Sequence, residues 1–123
     1  MTLLRFTPSF QYDDSDQALP FWIDYLGFRL VHDDGSGKLR VVERESLCVM
    51  LETNAEYAAQ LASLIRVATD DIAAIWAEVH AKPRHHRYVH QRFERGPELR
   101  PWGAHEFAVQ DHRVCIVFQQ WPA

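Results

Sequence analysis

His85, His86, His90, His105 and His112 are the side chains best suited to hold a metal or move a proton near neutral pH. His86 and His90 stand four apart, a spacing that sets two imidazoles on one helix face, but His86-Arg87-Tyr88-Val89-His90 lacks the glutamate of an H-E-x-x-H hydrolase. His80, His85, His86 and His90 are interleaved with Lys82, Arg84, Arg87, Arg92 and Arg95, which reads as a solvated basic loop. The five glycines fall in neither the G-x-G-x-x-G nor the G-x-x-x-x-G-K-[ST] order, so those phosphate cradles are excluded. Ser9, Ser15, Ser36, Ser46 and Ser63 have no nucleophile-elbow context. Cys48 and Cys115 lie inside apolar runs with no adjacent histidine and read as small hydrophobes. The expectation is therefore no catalytic residue, no metal and no cofactor.

The elements that must position such chemistry belong to one domain, 1–123. At 123 residues and 14.4 kDa the chain can bury a real core, and 47% hydrophobic with 24% charged residues is the composition of a folding globular chain. No apolar run approaches the roughly 20 residues that cross a bilayer, and Met1-Thr2-Leu3-Leu4-Arg5-Phe6 reads as too short and wrongly flanked to be expected as a signal peptide. A cytoplasmic location without a membrane partner is expected. Two cysteines make no disulfide framework. Net charge is −4, but residues 1–79 carry −7 and residues 80–123 carry +3. A single basic stretch in a chain of pI about 5.9 does not make nucleic acid an expected partner.

Leu19, Trp22, Ile23 and Leu26 follow one another at the spacing of an amphipathic helix, which should start near Asp16 and end at Gly27, with Pro20 distorting it. Ile72, Ile75, Trp76 and Val79 repeat that spacing after Asp70-Asp71. A strand-like run precedes each helix, Arg5 to Tyr12 and Ser63 to Thr69. Phe28 to His32, Leu39 to Arg44 and Leu47 to Leu51 follow the first helix; a poorly patterned stretch around Tyr88, then Ala104 to Val109 and Val114 to Gln119, follow the second. The fold class expected is α+β, a βαβββ module used twice: module one about 1–54, a helical connector about 55–62, module two about 63–123.

Phe21-Trp22-Ile23-Asp24-Tyr25-Leu26-Gly27-Phe28, together with Pro101-Trp102-Gly103-Ala104-His105-Glu106-Phe107-Ala108-Val109-Gln110-Asp111, resembles the glyoxalase/bleomycin resistance superfamily, the vicinal oxygen chelate proteins, and most of all its bleomycin resistance branch. The resemblance covers nearly the whole chain. It implies two βαβββ modules that each curl into half a barrel, and a homodimer with cupped cavities. It also implies, for the enzymes of the superfamily, a divalent metal held by one ligand from each of four strands. Those positions fall here on Pro8, Met50, Leu64 and Val117, which offer no hard donor, although Glu52 shares the strand parity of Met50. The family turn Asp-Pro-x-Gly-Asn is shortened to Asp111-His112-Arg113.

The function so implied is metal-free binding of a planar or aromatic small molecule, bleomycin-like or anionic. The alternative is a metal-dependent lyase or dioxygenase with unconventional ligands such as His105, His112 and Glu52. By the ligand-position reading, Phe10 and Tyr12 line the concave face of the first strand, and Arg66 that of its counterpart. Trp102 corresponds to the tryptophan that stacks on the ligand in the bleomycin-binding branch. Asp33 and Asp34 occupy places where acidic residues hold a cationic drug, and His105 completes the expected ligand-binding set. An arginine in such a cavity favours carboxylate or phosphate unless Glu52 or Glu106 pairs with it.

Overall fold

The computed structural model describes residues 1–60 and 62–123. Its strands are β1 (Ser9–Tyr12), β2 (Arg29–Asp33), β3 (Leu39–Arg44), β4 (Leu47–Thr53), β5 (Ser63–Ala68), β6 (Glu98–Leu99), β7 (His105–Gln110) and β8 (Val114–Gln120). Its α-helices are α1 (Ala55–Ala58), α2 (Ile72–His80) and α3 (His85–Tyr88). The chain divides into two units, Met1–Leu61 and Ala62–Ala123. Each unit carries one four-stranded sheet, ordered β1-β4-β3-β2 in the first and β5-β8-β7-β6 in the second. In each sheet the strand before the helix pairs in parallel with the last strand and the remaining pairs are antiparallel, so the α+β plan of strand, helix and three strands occurs twice.

In the first unit the helical segment is not the single helix that the apolar spacing predicts. A 3-10 turn, Ser15–Ala18, is followed by a wider π-type helix, Pro20–Tyr25. Pro20 opens the second piece, where its missing N–H costs nothing, and so divides the segment instead of distorting one helix. Gly27 then reverses the chain at φ +74°. Trp22 is buried against Phe10 (5.6 Å, stacked) and Phe28 (5.1 Å, edge-on), and its indole N–H donates to Tyr12 Oη at 3.0 Å. β1 is half the length expected from Arg5 onward, and residues 1–7 are exposed.

In the second unit α2 starts at its Asp71 cap, whose carboxylate accepts from the Ala74 N–H at 3.0 Å, and its predicted stripe faces the sheet through buried Ile72 and Val79 and through Trp76 against Phe107 (5.2 Å). The stretch around Tyr88 contains α3 and a 3-10 turn, Gln91–Phe93, with Val89 bridged to Val109; buried Tyr88 and Phe93 anchor it. Among its described residues the connector holds α1; Leu61, within it, lies outside the described residues.

Candidate functional site

Residues paired across a sheet share a face. In the second unit Phe107 and Phe118 are paired and lie on the α2 side. Arg66 of β5, Val117 and Gln119 of β8, and Glu106 and Ala108 of β7 therefore project from the opposite face. Glu106 is 3% exposed, an unusual place for a carboxylate without partners. Its Oε2 accepts from the Trp102 indole N–H at 3.0 Å and from Gln119 Nε2 at 2.8 Å, and Arg66 Nε lies 3.7 Å away. Trp102 sits on the turn between β6 and β7, closed by the Arg100 N–H to the Ala104 carbonyl (2.8 Å) and by Gly103 at φ +99°. The residue is 47% exposed, and the tether fixes one edge of its indole. The Arg100 guanidinium lies 5.1 Å from the ring centroid and 4.0 Å from Glu98, which also pairs with Arg92 at 3.1 Å.

Of the residues expected to bind ligand, the structure brings Arg66 and Trp102 together, with Glu106 between them. Phe10 and Tyr12 are placed differently: both are buried on the helix side of β1 against Trp22, and Ser9 and Gln11 occupy the opposite face. The concave-face assignment of Phe10 and Tyr12 is corrected accordingly, because two aromatic side chains and one indole close the core there. The polar parity of Ser9 and Gln11 was the signal for it. Asp33 and Asp34 cap the Gly35-Ser36-Gly37 turn. The Gly35 N–H and then Arg40 hold Asp33 below the ordinary value of 3.8, and the Ser36 hydroxyl and N–H do the same for Asp34. Asp33 is also tied to Arg40, which bonds Asp16 and Ser15 as well. His105 is exposed and has the opposite parity to Glu106, so it points away from the Trp102 face. Burial pushes the Cys115 thiol up, with Arg66 opposing. Gln119, Arg100 and the C-terminal Trp121 were not singled out from sequence; the parity of residues 117, 119 and 121 was the available clue.

The four-ligand metal of the superfamily does not fit the residues present. Met50, Leu64 and Val117 hold no hard donor, and the side chain on the open face beside Pro8 is Ser9, whose hydroxyl donates to Glu52 at 2.7 Å. The other inward carboxylate, Glu106, is engaged by Trp102 and Gln119. Among the described residues no three His, Cys, Asp or Glu side chains are gathered as a metal site. Among the described residues no helix is long and apolar enough to cross a membrane.

Comparisons with known proteins bear on the same fold. Residues 4–113 match the family model of the Glyoxalase/Bleomycin resistance protein/Dioxygenase superfamily. None of the curated proteins matches the sequence. Among solved structures, a bleomycin resistance determinant encoded on the transposon Tn5 superposes with TM-score 0.75 at 19% identity over 98% of this chain and 100% of its own. A bleomycin-binding protein complexed with bleomycin gives 0.71 at 21% identity, with the same coverage. A lactoylglutathione lyase from Agrobacterium tumefaciens gives 0.71 at 16% identity, covering 97% of this chain and 94% of its own. At such identities the solved structures establish the fold, and the family model covers most of the sequence. This chain belongs to the glyoxalase/bleomycin resistance protein/dioxygenase superfamily.

Proposed function

We propose that this protein is a metal-free small-molecule binding protein of the bleomycin-resistance type, which sequesters a planar or aromatic ligand as a cytoplasmic homodimer and does not turn it over. The observation that carries this reading is the half-exposed Trp102 indole tethered to buried Glu106, on a sheet face where the family's metal positions hold Leu64 and Val117. A binding module needs shape and stacking, and each aromatic contact contributes about 0.5–1.5 kcal/mol beyond burial. The bleomycin-binding neighbours support small-molecule binding, and exposed Leu3, Leu4 and Phe6 support a partner chain.

Calorimetric titration with bleomycin and with naphthoate tests it. At least one should bind, and Trp102→Ala should weaken that binding roughly tenfold, about 1.4 kcal/mol. Absence of heat with both ligands would remove the reading.

A further inference from the structure

Trp121 follows β8, is 48% exposed, and has the strand parity of Gln119, so it is a second indole associated with the face that carries Trp102. Its N–H donates to Gln119 Oε1 at 3.0 Å, while Gln119 Nε2 donates to Glu106 Oε2 at 2.8 Å. The direction of this chain is fixed by chemistry. An indole N–H can only donate, so the Gln119 amide must turn its oxygen to Trp121 and its NH₂ to Glu106. Trp102 donates to the same Glu106 oxygen. Two half-exposed tryptophans thus hang by their N–H edges from one carboxylate–amide relay.

Charges around the relay favour one ligand class. Arg66 offsets Glu106, and both Arg92 and Arg100 share Glu98, which leaves one cation in excess among these five groups. Arg100 already lies over the Trp102 ring, so a cationic ligand on that indole would be repelled by it and by Arg66. We propose that Trp102 and Trp121 form a two-walled slot with Glu106 and Gln119 as its base, selecting neutral or anionic planar aromatics over cationic ones, and that Gln119 is the positioning residue for Trp121. This deepens the binding function proposed above and rests on it.

The test uses three planar fluorescent probes on the full chain: phenylnaphthylamine (neutral), anilinonaphthalene sulfonate (anionic) and proflavine (cationic). The first two should bind at least roughly tenfold tighter than proflavine. Trp121→Ala should weaken phenylnaphthylamine roughly three- to tenfold, the scale of one aromatic wall. Trp121→Phe, which deletes the N–H bond without touching the buried amide, and Gln119→Leu should each lose part of that. In the Gln119→Leu/Trp121→Ala double variant the loss should be no greater than in Trp121→Ala alone, a coupling that a merely structural Gln119 would not show. Unchanged binding in Trp121→Ala with a loss in Trp102→Ala would overturn the slot and leave the single-indole site standing. Unchanged binding in both would overturn both readings, and no probe bound by the unaltered protein would overturn the slot. Proflavine as the tightest probe would overturn the charge selection.

Discussion

Glu106 is the residue on which the site depends. A carboxylate nearly removed from water is tolerable only while donors surround it, and here an indole, an amide and a guanidinium do so. The partners are unequal. Arg66 is 47% exposed at its side chain and sits at 3.7 Å, so its pairing is worth little, whereas the Gln119 bond is buried and the Trp102 bond partly so. Arg66→Ala should lower stability by less than about 1 kcal/mol, while Glu106→Ala should cost about 2–3 kcal/mol by stranding the Gln119 and Trp102 donors. Urea denaturation of the two variants compares them directly; equal losses would contradict the ranking. The same pairing answers the question that the sequence left open about Arg66, whose charge meets Glu106 before it meets any ligand.

At the scale of elements, α2 is the clearest product of local sequence. Asp71 satisfies the Ala74 N–H, and Ile72, Trp76 and Val79 turn inward. Asp71→Ala should cost about 0.5–2 kcal/mol, the usual worth of an N-cap, measurable as a lower urea midpoint with unchanged slope. β3, Leu39–Arg44, was legible to the residue, with Gly35-Ser36-Gly37 marking the turn before it. Alternation along Ser9-Phe10-Gln11-Tyr12 was legible too, but alternation only divides a strand into two faces. Which face is covered was decided by Trp22, whose ring and N–H claim Phe10 and Tyr12. The Glu106–Gln119 contact depends on the register between β7 and β8, and the Trp121 tether on where the chain runs after β8. Parity along residues 117, 119 and 121 groups the side chains of one face but not their partners across strands, so Trp102 and Arg66 could be picked out from sequence while the relay that joins Trp102 to Trp121 could not.

For the whole molecule, one chain leaves apolar surface uncovered. Leu3, Leu4 and Phe6 are exposed, as are Leu64 in the second unit and Leu30 and Val31 in the first. Such exposure is a liability for a monomer and an asset for an interface. Light scattering on the purified protein should give twice the 14.4 kDa chain mass, and replacing Leu3, Leu4 and Phe6 with serine should shift it toward the single-chain value. A mass of one chain for the unaltered protein would contradict the dimer.

The central claim, binding without a metal, is tested most directly by titrating the calorimetric ligand into protein stripped with a chelator, beside the untreated protein and Trp102→Ala. The account predicts the same affinity before and after stripping and a roughly tenfold loss in the variant, the cost of removing the indole face. Binding that vanishes on stripping and returns with a stoichiometric divalent ion would contradict it.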